Sequence, residues 1–586
     1  MATSLWDTLL PELVVRIASF LPANEVACSF RLVNKFTSEQ CQGWKLVRMS
    51  ESVPPQAFVK RWEDERYAGG LTFSQREELL SLTARSGVIA NLEFALAVVG
   101  CPPTSEVYMA AAESGHRDAC IWLEDRGCPR DEEAAVEAAA RAGHAEIVRW
   151  KLLQFPSFSG SALDGAAGGG HRALCEEMVA AGASPGDIQS AAFEAAEGGH
   201  VELTEWLLGL SKERNFGPDE FDQVLLDAAW GFELPALQRL YHSQLGSSAA
   251  QEEFGTDHGP SMVVAAFTSA TPDWRAKLEW LEAKTGCRLD KEAFEALTTM
   301  DACEAWRALE LFWEWEMDSA FPDVLGRVTL LRERGMLHVG SCLNFAVYNT
   351  NLPLIHHLKS EGLLAASDID IDLMVMASQK GDLAVPAELL AAGGPIGPGV
   401  VRTAARFGHL HVLLWMAGPE ASPDTTEALQ QALLEDPDGL TRCAAGSGSL
   451  ELMEWLWERG CRQFDEKAFT AAVGAGNTAL LEWMVARGCP MSSKAYQVAG
   501  DQRDIATLRC LRRLGCPWDR DTFNTSCSLE VLRWLEAEGC SVDWHAAWAR
   551  YRWSGKGTPK GLAAGPGCSL LTNGRARPKG VRSWVQ

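Results

Sequence analysis

The sequence predicts an all-α chain, a solenoid of stacked helix–turn–helix repeats. Three observations carry that expectation. The first is a period: the Gly-His landmarks at Gly115, Gly143, Gly170 and Gly199 lie 28, 27 and 29 residues apart, and the Gly-Cys landmarks at Cys461, Cys489 and Cys516 lie 28 and 27 apart. The second is a fixed internal offset, since Trp122, Trp455, Trp483 and Trp534 each stand six residues before their landmark cysteine. The third is that strand-like alternation is nearly absent. Self-similarity at a fixed period marks a repeat architecture, and 586 residues exceed what a single hydrophobic core usually supports.

Each unit reads as two short helices. The first is Ala-rich, as in residues 132–142, where alanine gives high helix propensity and lets a neighbouring helix come close. Gly-His or Gly-Asn ends it, glycine supplying the left-handed conformation that helix ends favour. The second helix carries an apolar stripe: Ile147, Val148, Trp150 and Leu152 in one unit, Leu480, Leu481, Trp483 and Met484 in another. Gly-Cys closes it, and Pro102, Pro129, Pro490 and Pro517 follow where the helix cannot continue. A pair this short cannot bury its own stripe, so stacking of neighbours must do so. The tryptophans are expected as core anchors, each removing roughly 150–250 Å² from water if buried. Of 17 cysteines, seven recur in the Gly-Cys setting (Cys101, Cys128, Cys287, Cys461, Cys489, Cys516, Cys540) and read as small buried hydrophobes.

Small residues, Gly-His, then an apolar helix closed by glycine: this pattern resembles the ankyrin repeat. The likeness covers most of 73–541 and implies a protein-binding solenoid. The unit is shorter than the family's 33 residues and lacks its Thr-Pro-Leu-His turn, so the β-finger is expected to shrink to a tight loop such as 128–131. The expected organisation is an N-terminal helical segment (1–50), a connector (51–72), a first repeat block (73–245), degenerate repeats with insertions (246–375), a second block (376–545) and a disordered basic tail (546–586).

Residues 9–36 leave the repeat pattern. Leu9, Leu13, Ile17 and Leu21 are spaced by four and form one helical face. Pro22 ends that helix, and Asn24 can cap the next, which carries Val26, Phe30 and Val33. The order Leu-Pro, Glu-Leu, Ile, Leu-Pro, then Arg-Leu-Val-Asn-Lys resembles an F-box, with its proline displaced from the family's usual place. The resemblance implies docking on a Skp-type adaptor of cullin–RING ubiquitin ligases, with Leu10, Pro11, Glu12, Leu13, Ile17, Leu21, Pro22 and Val26 forming or supporting the face. The alternative is a helical cap over the first repeat.

The formal net charge of −25 argues against a general nucleic-acid binder. The first twenty residues read as neither signal nor transit peptide, and no run of about 18 apolar residues offers a membrane span. The expected address is cytoplasm or nucleus. His116, His144, His171, His200 and His409 belong to the repeat hinge, and no metal site or cofactor is called for. The segment Thr256-Asp257-His258-Gly259-Pro260 looks like the closing signature of metal-dependent phosphodiesterases such as neutral sphingomyelinases, but the Asp-x-Asn pair and the strands of that chemistry are missing. It is read as a polar loop. The expected function is therefore non-catalytic: a substrate-recruiting F-box adaptor whose partners are a Skp-type adaptor and an unidentified target protein, with no specific nucleic acid. An ankyrin-type scaffold without ubiquitin is the alternative, and a phosphodiesterase the remote one.

Overall fold

In the computed structural model, residues 10–212, 218–245, 248–290, 323–419, 421–518 and 529–539 are described. They form helices and turns, with no strand among them. The chain divides into two compact units, one of Met1–Glu63, Glu77–Ala97 and Pro103–Glu435, the other of Asp64–Arg76, Val98–Pro102 and Asp436–Gln586.

The first unit begins with a module of short helices, Pro11–Ala18, Ala23–Cys28 and Lys35–Gln40. Helix pairs follow: Ser105–Glu113 with Arg117–Asp125, Glu132–Arg141 with Ala145–Leu152, Ser159–Gly168 with Arg172–Ala180, and Pro185–Glu197 with Val201–Lys212. Further along come Pro218–Gly231 with Leu234–Leu245, Ser248–Phe267 with Trp274–Thr285, Val339–Tyr348 with Leu352–Ser360, and Pro398–Arg406 with Leu410–Met416. In the second unit Pro437–Ser447 pairs with Leu450–Glu458, Glu466–Ala475 with Thr478–Ala486, and Lys494–Asp501 with Ile505–Arg513. First helices stack on first helices, through alanines that have no exposed surface: Ala139, Ala166, Ala195 and Ala228.

The turn between the two helices of a pair sets the repeat. Gly115 is left-handed, with φ 81°. Its N–H bonds Ala112 O at 3.1 Å, and His116 N–H reaches Ala111 O at 3.0 Å, a Schellman closure of the first helix. The imidazole then turns back: His116 Nε2 meets Arg85 O at 2.8 Å, an orphan carbonyl at the end of the preceding unit's first helix. The same bond joins His144 to Glu113 O (2.9 Å), His171 to Arg141 O (3.0 Å), His200 to Gly168 O (3.0 Å) and His409 to Gln379 O (2.7 Å). Each ring also lies over the preceding glycine, so that a Cβ on Gly143 would come within 2.5 Å of the His171 ring. In the second unit Gln502 takes over the task, donating to Gly474 O at 2.9 Å.

Four expectations change. The tryptophans are not uniformly buried: Trp455 is, but Trp122 and Trp483 are half-buried. A guanidinium four residues on covers each ring, Arg126 at 3.6 Å from the Trp122 centroid, Arg459 at 3.7 Å from Trp455 and Arg487 at 3.9 Å from Trp483. The helical i, i+4 spacing makes that stacking available without full burial. The stripe of residues 147–152 includes Lys151, buried because its Nζ reaches Glu124 Oε1 and Glu132 Oε2, each at 2.5 Å. Asn24 does not cap a helix: it is fully buried and clamps Arg48 through both backbone groups, at 2.7 and 2.9 Å. Residues 256–260 are no loop, since they lie within the helix Ser248–Phe267 with Pro260 inside it. The expected tail lies outside the described residues.

Gly127 and Gly143 are both left-handed, with φ 70° and 81°, but nothing approaches within 4 Å of a Cβ on Gly127. Gly127→Ala should therefore cost only the left-handed penalty of about 1–2 kcal/mol. Gly143→Ala should cost about 1–3 kcal/mol more, from overpacking against His171. Equal losses in chemical denaturation would show that the ring contact contributes nothing.

Candidate functional site

The N-terminal module is amphipathic on two sides and packed on only one. Val14, Ala18, Val26, Phe30 and Cys41 make its core, with Leu21, Phe36 and Trp44 packed against them. Beside this core, about a quarter-turn round the helix Pro11–Ala18 and on the turn after it, lie Leu10 (62% exposed), Leu13 (43%), Ile17 (37%) and Phe20 (78%). Positions 10, 13, 17 and 20 follow helical spacing and form one stripe. Leu32 and Val33 are exposed as well.

Of the site residues read from sequence, Leu10, Pro11, Glu12, Leu13, Ile17 and Pro22 are at the surface. Val26 is fully buried and Leu21 half-buried, so these two support the module from within. The supposed common face of Leu13, Ile17 and Leu21 is split, because a four-residue step drifts by about 40° per turn and Leu21 ends on the core side. Leu9 lies outside the described residues. Phe20, Leu32 and Val33 were missed. The spacing 10-13-17-20 was the available signal for Phe20.

The contacts with the first repeat come from the segment that follows the module. Asn91 Nδ2 donates to Val53 O at 2.8 Å, and the Phe58 and Phe94 rings meet edge-on at 6.3 Å. The exposed stripe takes no part in these contacts.

A second feature runs along the stacked first helices. Asp164 shares its surroundings with Glu137, Asp187 and Glu194, and Asp227 with Glu194 and Glu197. Ser190 donates to Asp164 at 3.0 Å, Gln223 to Asp227 at 3.0 Å, and Arg141 bonds both Glu137 (3.1 Å) and Glu194 (3.0 Å). Burial, followed by the neighbouring carboxylates and opposed by the Ser190 bond, pushes Asp164 up to about 6. Burial and Glu197 and Glu194, opposed by Gln223, push Asp227 up to about 7.

Six buried thiols are not poised for nucleophilic work. Burial pushes Cys120, Cys175, Cys489 and Cys516 up to about 12 and Cys128 and Cys510 up to about 11. The thiolate that reacts is suppressed there. His258 Nε2 stands 3.2 Å from Asp222, on a neighbouring helix. His356, on the surface, stands 3.6 Å from Glu388 of the next pair. Among the described residues no group of three metal-ligating side chains comes together, and no helix is long and apolar enough to cross a membrane.

No family model and no curated protein matches the chain. Among solved structures it is similar to the pentatricopeptide repeat protein PPR10 from maize, 13% identical over 94% of this chain and 91% of that one, with a TM-score of 0.22. It is also similar to PPR10 in complex with an 18-nt psaJ RNA element, 10% identical over 87% of this chain and 97% of that one, with a TM-score of 0.19. The expected partner set, a Skp-type adaptor and a target protein with specific nucleic acid excluded, does not stand in that exclusion, and one of these solved proteins is in complex with RNA. Net charge summed over a whole chain does not describe the face a partner touches, so it excludes no partner class.

The two raised carboxyls carry a pH dependence. Their folded pKa lies above the unfolded value near 3.9, so the folded state keeps these protons longer. Stability therefore falls as pH rises from about 4 through about 7. Asp227→Asn should raise the melting temperature at pH 8 and leave it unchanged near pH 4. An equal shift at both values would show that burial does not raise the Asp227 carboxyl.

Proposed function

We propose that this chain is a binding scaffold in which the N-terminal module docks on another protein while the helical array holds a second macromolecule. The observation that supports the docking half is the stripe of Leu10, Leu13, Ile17 and Phe20, apolar and exposed on a module whose other side is already packed. A helical cap would turn that stripe against the first repeat, yet the contacts there come from Val53 and Phe58. Exposed apolar patches on soluble proteins mark interaction sites, and an amphipathic helix delivers its apolar residues into a groove at i, i+3 and i+7 spacing.

The finer reading joins this stripe to the F-box-like order of the same residues. The chain then serves as a recruiting subunit of a cullin–RING ubiquitin ligase, its ankyrin-like repeats of about 28 residues presenting the recruited macromolecule. Pro11 and Glu12 open the helix, which ends at Ala18, so Pro22 does not stop it as expected but precedes the next helix, Ala23–Cys28. Val26 and Leu21 hold the two helices in register beneath the stripe.

Leu13→Asp with Ile17→Asp tests this. Both side chains are partly exposed, so stability should change by no more than about 0.5 kcal/mol per site. Recovery of a cullin with the affinity-purified protein should fall at least tenfold relative to the unmodified chain. A lowered melting temperature with cullin recovery intact would make the segment a cap. An unmodified chain that recovers no cullin would leave a scaffold without a ubiquitin connection.

A further inference from the structure

The hinge changes character at residues 503–504, where Arg-Asp stands in place of Gly-His. Arg503 adopts the left-handed φ of 61° that glycine takes at the histidine hinges and Thr350, at 51°, takes before Asn351. Asp504 N–H bonds Ala499 O at 2.9 Å, as the hinge histidines bond the carbonyl five residues back. A non-glycine residue held left-handed is strained and persists where its surroundings over-determine it.

Next to it lies a buried ion pair. Asp504 has no exposed surface and caps its own helix, accepting from Thr507 N–H at 3.0 Å and from the Thr507 hydroxyl at 2.6 Å. It also takes both arms of the Arg76 guanidinium, Nη1 to Oδ1 at 2.9 Å and Nη2 to Oδ2 at 2.5 Å. The same guanidinium donates to Gly476 O and to Val99 O, each at 2.8 Å, and its side chain is 2% exposed. Phe73 lies beside it, 5.7 Å from ring centroid to Cζ. Around this centre Ala506 N–H bonds Gly100 O (3.1 Å), Asn477 Nδ2 bonds Gly70 O (3.0 Å) and Thr478 Oγ1 bonds Gly69 O (3.2 Å). All these residues belong to the second unit, although Arg76 and Asp504 are 428 positions apart in sequence.

We propose that Gly476 and Asp504 form a buried guanidinium-binding site, filled in cis by Arg76, and that this site is a releasable clasp fastening residues 64–76 and 98–102 to the helices between 466 and 513. The ties described here are polar and directional. A planar fork matches the carboxylate with two parallel bonds and still has donors for two carbonyls. A lysine, as a compact point charge, cannot reproduce that pattern. A buried pair of this kind adds little compared with an apolar filling, yet removing one partner strands a charge in the interior. Such a contact selects its occupant more than it cements it. When Arg76 leaves, the site keeps its carboxylate and carbonyl and stays competent for another guanidinium.

The test uses the full chain and hydrogen exchange read by mass spectrometry. Arg76→Ala should speed exchange by about a hundredfold in residues 64–76, 98–102 and 476–507, as the loss of one buried partner implies, and leave 105–208 as in the unmodified protein. Millimolar N-ethylguanidinium should restore protection to Arg76→Ala and fail to do so in Asp504→Asn. If Arg76→Ala cannot be recovered folded, Arg76→Lys gives the same readout with the charge kept and the fork lost. Unchanged protection in the variant, equal loosening of 105–208, or no response of Arg76→Ala to N-ethylguanidinium each overturns the proposal.

Discussion

Each regular repeat of the first unit depends on one bond, from a hinge imidazole to the last free carbonyls of the preceding unit's first helix. Helix ends leave carbonyls without intrahelical partners. His116, His144, His171 and His200 supply those partners one unit at a time, at 2.8–3.0 Å. The bond requires a left-handed glycine before the histidine, because the ring must fold back over the chain. It also requires the preceding unit's hinge glycine to carry no side chain, because the ring lies on it. Period, glycine and histidine are thus one constraint seen three times, and the alanine stacking between first helices follows from the spacing it sets.

That constraint is local, so it was legible in the sequence. A positive φ shows as glycine, a hinge bond as the histidine after it, and a helix pair as a period near 28. Interactions whose two ends lie far apart left no such trace. Nothing near Arg76 announces Asp504, and the Arg-Asp at 503–504 reads only as a lapse in the pattern. Lys151 was hidden for a related reason: a charged residue inside an apolar stripe makes sense only once Glu124 and Glu132 are seen to converge on it. The half-exposed tryptophans depend on an arginine four positions on, a local partner the period displayed but burial arguments passed over. At the N-terminus the apolar residues were found, while their division between core and surface needed the packing of Val14 and Ala18 to be known.

The two units use polar contacts differently. In the first, the repeated hinge bonds join near neighbours, and a group of carboxylates gathers on the stacked first helices. There Asp164 and Asp227 are held close to other carboxylates. In the second, one hinge keeps the histidines' task with an asparagine and another is turned to a new one. Asn477 bonds Gly448 O while also capping its own helix, and Asp504 receives a guanidinium from the opposite end of the sequence. The uncovered stripe at Leu10, Leu13, Ile17 and Phe20 stands apart from both devices, which allows docking at the module without disturbing the array.

If stability in the array is a sum of unit and nearest-neighbour terms, the loss of one hinge must stay near that hinge. Native-state hydrogen exchange on His171→Ala measures this directly. Faster exchange confined to the helices between 132 and 212, with 371–416 protected as before, is the result the account predicts. Equal loss of protection in both stretches would mean a single cooperative core, and would contradict it.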